Sequence, residues 1–232
     1  SRGLVAPQLM FAESAKRNGV QFTKQEADTF NEEYENLVTT TYRQRDYTML
    51  FARHLPAVVE ALAVAKAKLQ ATFAGMNSGT NAIGFQLTRP ETLYGTATPA
   101  RTWKVTVAQS TVNASNGWAD VIATATSQNT LDRDALVVFL GWGNLVDSPK
   151  TAAIKVGIGG LTVPPHNVEN AFRNTDSKLY VIGRAYYITP KSQFNVRAKF
   201  RDSGLDEPYP IAITFARGAY LLRETPGLDG QA

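Results

Sequence analysis

Near the C-terminal end of this chain three cations stand at alternate positions. Arg197, Lys199 and Arg201 are interleaved with Val196, Ala198 and Phe200. A strand period of two predicts that the cations share one face and the apolar side chains the other. Like charges in a row repel unless water or an acidic surface faces them. The run from Lys178 to Arg201 also contains Arg184 and Lys191 and holds no acid. The chemistry such residues offer is contact with an anion, either acids of a neighbouring subunit or a polyanion. Tyr180, Tyr186 and Tyr187 lie close enough in sequence to suggest a stacking platform for nucleic acid. The plain alternative is a solvated strand face.

Other chemistry is sparsely provided. There are two histidines, His54 and His166, and no cysteine. Disulfides, thiolate metal sites and cysteine nucleophiles are thereby excluded. Neither histidine belongs to a metal-spacing motif or has a recognisable nucleophile and orienting acid beside it in sequence. Val156-Gly157-Ile158-Gly159-Gly160 resembles a nucleotide loop, but Pro164 and Pro165 follow where a phosphate-binding helix would have to start. A bend at a strand end explains these glycines better. Asp132-Arg133-Asp134 has the wrong spacing for a calcium loop and reads as a charged turn. Asn113-Ala114-Ser115 matches the short N-glycosylation triplet. The expectation is a protein that is not an enzyme, with no catalytic, cofactor or metal residues assigned.

The chain has 232 residues, of which 44% are hydrophobic and 19% charged, with a formal charge of +4. That composition supports a sizeable core and argues against global disorder. No stretch approaches the about 18 consecutive apolar residues of a membrane span. Residues 1–7 hold no apolar signal-peptide region, and the start at Ser1 suggests a removed Met or longer leader.

The elements that must position these residues fall into two groups. Residues 23–47 have helical periodicity through Phe30, Tyr34, Leu37 and Val38, opened by a Thr23/Glu26 capping box. Residues 56–74 form the clearest predicted helix. Pro56 is expected in its first turn, the apolar stripe is Val58, Leu62, Ala65, Leu69 and Phe73, and Gly75 is expected as its stop. After a turn-rich boundary at 76–81, strands are predicted at 84–88, 102–109, 118–126, 135–142, 151–158, 178–188, 194–201 and 211–222. The absence of long helical patterns between them argues for antiparallel pairing. The expected division is a helical arm at 1–77, a β-sandwich at 78–225 and a loose tail at 226–232.

A helical segment followed by about eight antiparallel strands, with the hairpin 178–188/194–201 and the closing strand 210–222, resembles viral capsid (coat) proteins of the β-sandwich, jelly-roll type. The resemblance is one of organisation and carries over no site residues. It implies a mainly β fold with an N-terminal α-helical segment and a self-assembling virion protein. Its partners would be copies of itself, other virion proteins and, secondarily, nucleic acid, and its location the virion, with the cytoplasm as alternative. Residues 1–77 hold nine Lys/Arg against eight Asp/Glu, a net of +1, so the arm itself offers little charge to a packaged genome. Two other readings stay open. One is a carbohydrate- or ligand-binding β-sandwich using Trp103, Trp118 and Trp142. The other is a hydrolase using loop carboxylates such as Glu91, Asp120 and Asp147.

Overall fold

The computed structural model describes residues 7–40, 44–75, 81–94, 102–114, 117–122, 129–174 and 178–218. Three helices come first: α1 (Pro7–Asn18), α2 (Lys24–Thr40) and α3 (Gln44–Leu69). The remaining elements are β1 (Ile83–Leu87), α4 (Pro90–Tyr94), β2 (Val105–Val107), α5 (Gln109–Val112), β3 (Trp118–Ile122), β4 (Asn129–Thr130), β5 (Ala135–Asn144), β6 (Thr151–Ile158), β7 (Leu161–Thr162), β8 (His166–Asn167), α6 (Glu169–Asn174), β9 (Leu179–Ile188), β10 (Gln193–Phe200), β11 (Gly204–Asp206) and β12 (Pro208–Arg217). The chain is mainly β with an N-terminal helical segment, and its sheets are antiparallel. One sheet has the order β1-β12-β5-β9, a second β3-β10-β6-β7 with β4 and β8 attached, and β11 pairs with β2. No described helix is long and apolar enough to cross a membrane.

Each of the eight predicted strands has a counterpart in β1, β2, β3, β5, β6, β9, β10 and β12. The strands β4, β7, β8 and β11 are two or three residues long, too short to leave a periodic pattern. The predicted boundary at 76–80, residues 123–126 of one strand, 219–222 of the last strand and the tail at 226–232 lie outside the described residues.

Two compact units emerge, one of residues 1–87, 133–138 and 213–232, the other of 88–132 and 139–212. In the first, α1 starts on Pro7 and ends at Gly19, whose φ of +65° lets Val20 N–H reach the Ala15 carbonyl at 3.1 Å. The capping box opening α2 is formed: Glu26 N–H donates to Thr23 Oγ1 (3.1 Å) and Thr23 N–H to Glu26 Oε2 (2.8 Å). The helix expected to begin at Pro56 instead starts at Gln44, and Pro56 lies inside it. Burial of Leu50, Phe51, Val58 and Val59 on one continuous helix offsets the single backbone hydrogen bond that proline removes. The expected stop at Gly75 is also corrected. α3 ends at Leu69, and Gln70 takes the left-handed conformation (φ +50°) that glycine normally supplies.

The predicted stripe Val58, Leu62, Ala65, Leu69 and Phe73 is buried throughout. It joins a chain of aromatic contacts: Phe30 meets Phe11, Tyr34, Phe73 and Phe85 with ring centroids 5.3–5.9 Å apart, and Phe85 meets Phe215 at 6.0 Å. Glu26 is buried in the same unit. Its Oε1 accepts from Lys66 Nζ (2.5 Å) and the Phe73 N–H (3.0 Å). Burial alone would raise its pKa, but these bonds and the Thr23 N–H outweigh it and hold the carboxyl below its ordinary range.

In the second unit β10 lies between β3 and β6, with Arg197 opposite Asp120 on one side and Lys155 on the other. The sheets meet through rings: His166 of β8 lies 5.6 Å from Tyr180 and 6.0 Å from Tyr186, both on β9, its plane 3° from that of Tyr186. Asp206 closes one end. Fully buried, it accepts from Asn144 Nδ2 (2.8 Å), Thr151 Oγ1 (2.6 Å) and the N–H groups of Lys150, Thr151 and Glu207. A carboxylate with five donors needs no external cation to be stable there.

Candidate functional site

The alternation in β10 places Val196, Ala198 and Phe200 in the core, each no more than 3% exposed, and turns Arg197 and Lys199 outward. On β6 the same period buries Ile154 and Val156 and leaves Ala153, Lys155 and Gly157 half-exposed. Register then assembles the outer face. Lys199 stands between Trp118 and Ala153, and Arg197 between Asp120 and Lys155. Adjacent strands are about 4.8 Å apart, so Arg197 and Lys155 are like charges at direct cross-strand neighbour positions, an unfavourable pairing by itself.

Two contacts relieve it. Arg197 Nε lies 3.1 Å from Asp120 Oδ1, and its Nη2 donates to the Trp118 carbonyl at 3.1 Å. The Nε–H does not point squarely at the carboxylate, so the first contact is ionic more than a directed hydrogen bond. Lys155 Nζ sits 4.3 Å from the centroid of the Trp118 ring, within cation–π range. Lys199 has no carboxylate within ion-pair distance among the described residues, and its stem lies over Gly117. Gly117 has φ +57°, and a β-carbon there would come within 3.3 Å of Lys199 Cε, so a larger residue would crowd the lysine.

The expected basic row is therefore corrected in composition. Arg201 is drawn to the end of the strand, where it donates to the Pro149 carbonyl (3.2 Å) and lies 3.9 Å from Glu169, itself paired with Arg173. Arg197 is neutralised by Asp120. Arg184 is exposed on β9 in the other sheet, and Lys191 is exposed in the β9–β10 turn at φ +62°. The tertiary structure thus keeps Arg197 and Lys199 together, adds Lys155 and Trp118, and leaves Arg184 and Lys191 elsewhere. The alternation of β6 held the signal for Lys155. Nothing in sequence marks Asp120 and Glu169 as the acids that answer Arg197 and Arg201.

The three tyrosines are divided. Tyr180 and Tyr186 turn onto His166, with the Tyr186 hydroxyl buried, while Tyr187 is 37% exposed on β9. Burial raises the Tyr186 pKa, offset in part by the neighbouring Trp142 indole. Burial likewise pushes the His166 pKa below its ordinary value. His54 is buried in α3. Trp142, 1% exposed, cannot serve as a ligand platform, while Trp103 and Trp118 are half-exposed. Asp147, fully exposed, contacts Lys178 at 3.3 Å, and Asp120 contacts Arg197 at 3.1 Å. The side chain of Glu91 and residue Ser115 of the glycosylation triplet lie outside the described residues. Asp134 contacts Arg217 (3.5 Å) and Arg133 (3.4 Å), a charged turn as expected.

The glycine run is a strand-end bend. Gly159 (φ +56°) and Gly160 (φ +85°) form a two-residue turn that pairs Ile158 with Leu161. Its tip is open, and Leu161 is 78% exposed.

No protein-family model, curated protein sequence or solved structure matches this chain.

Proposed function

We propose that this chain is a structural, self-assembling protein, the coat subunit of a virion, joined to copies of itself through apolar contacts. The observation that carries the reading is the placement of exposed leucines at opposite ends of β6. The Gly159-Gly160 hairpin presents Leu161 at one end, beside exposed Pro164 and Pro165. At the other end Leu145 and Leu205 are 47% and 50% exposed, next to the bonded pair Asn144 and Asp206 that anchors Thr151. Eight strand residues separate the two ends by about 26 Å. A single exposed leucine is ordinary on a protein surface. Two different apolar places at opposite ends of a strand suit head-to-tail contacts, which build rings, filaments and shells rather than a closed dimer. A jelly-roll-like sandwich and a virion location belong to the same reading.

Light scattering and negative-stain imaging of the purified chain test it. Particles or concentration-dependent oligomers are expected. Leu161→Asp, or Leu145→Asp with Leu205→Asp, is expected to stop growth. Mixing the two kinds of variant is expected to yield dimers, because each retains one working surface. A chain that stays monomeric at high concentration overturns the proposal.

A further inference from the structure

We infer that the outer face formed by Lys155, Trp118, Lys199 and Arg197 is a binding site for an extended single-stranded nucleic acid. The inference is independent of the assembly reading. Its starting point is that the fold places Lys155 and Arg197 side by side in register, yet among the described residues supplies one carboxylate, Asp120, for both. Lys155 is held by the Trp118 ring, and Lys199 has no acid partner among the described residues. Two cations thus remain available to an anion, on an antiparallel sheet face where Lys199 is exposed and Trp118 half-exposed.

The geometry favours a nucleic acid over a sulfated glycan. Lys155 and Lys199 are diagonal neighbours across β6 and β10, about 7–8 Å apart, close to the interval between successive phosphates of an extended strand. The Lys155 ammonium can exchange the ring for a phosphate, and a base can take its place against the half-exposed indole. Stacking on an aromatic beside a cationic row is the general mode of sequence-tolerant single-strand binding. A sulfated glycan would use the same cations, but its puckered rings stack on an indole less fully than a planar base does.

Fluorescence anisotropy of a labelled oligothymidylate, titrated with the full chain at low salt, tests this. Binding is expected, weakening as salt rises. Lys155→Glu with Lys199→Glu is expected to weaken it by about tenfold or more. Trp118→Leu should weaken it at every salt concentration, and by more than it weakens binding of a heparin oligosaccharide. Arg184→Glu with Lys191→Glu, on other surfaces, should leave oligothymidylate affinity as it was. Asp120→Asn removes the acid that competes for Arg197 and should tighten binding several-fold, a gain that misfolding cannot produce. Absence of binding overturns the inference. So does binding that ignores the Lys155/Lys199 charge reversal, or a Trp118→Leu variant whose losses for heparin and oligothymidylate are equal.

Discussion

The ring of Tyr209 occupies the space that a β-carbon on Gly143 would need. Such a carbon would lie 2.3 Å from Tyr209 Cζ and 2.4 Å from its hydroxyl oxygen. Gly143 belongs to β5, all of whose residues are buried, and Tyr209 on β12 is 9% exposed. Gly143→Ala must push a buried aromatic ring out of place. Overpacking of this kind costs about 1–3 kcal/mol. Chemical denaturation should report that loss. In a double-mutant cycle Tyr209→Leu should recover much of it, whereas additive losses would show that the two residues do not share this space.

Asp206 organises the end of the second unit that carries Leu145 and Leu205. Asp206→Ala strands the donors of Asn144, Thr151, Lys150 and Glu207 in a buried site. The expected loss is about 3–5 kcal/mol, the range for breaking a buried charged network. Asp206→Asn keeps the shape but cannot accept at both positions, so it should fall between wild type and alanine. Equal stability of wild type and Asp206→Ala in urea denaturation would rule out this role.

Glu26 makes the stability of the first unit sensitive to acid. Its folded pKa lies below the ordinary value of 4.5, so the carboxylate stabilises the fold above that pH. The contribution is lost as pH falls from about 4.5 through the folded value. Glu26→Gln should cost about 3 kcal/mol near neutrality, because it leaves Lys66 without its charge partner at a site where both side chains are largely buried. The gap between variant and wild type should narrow as pH falls below 4.5. A gap that is the same at pH 7 and pH 3 would count against the ion pair.

His166 has the same sign for a different reason. Burial lowers its pKa from 6.5, so the folded state favours the neutral ring between Tyr180 and Tyr186. Its contribution is present above pH 6.5 and is lost as pH falls below that through the folded pKa. An NMR titration should show His166 titrating below 6.5. His166→Phe keeps a ring in place and should flatten the fall in melting temperature between pH 7 and pH 5.5. A His166 that titrates above 6.5 would contradict the packing described for the two sheets.

Local pattern determined a good deal of this protein. The period of two in 196–201 assigned Val196, Ala198 and Phe200 to the core, because a strand's side chains alternate whatever it pairs with. The Thr23/Glu26 box and the stripe from Val58 to Phe73 were legible for the same reason: their partners lie within a few residues or on one helix face. What tertiary structure decided involves distant partners. Pro56 reads as a helix start, yet burial on both sides of it carries α3 straight through. Asp120 neutralises Arg197 from 77 residues away, Glu169 answers Arg201, and Lys155 and Trp118 join Lys199 because β3, β10 and β6 pair in one register. Sequence alternation gives the face on which a charge lies. Pairing register decides which charges stand beside it, and so whether a cation is neutralised or remains available to a ligand.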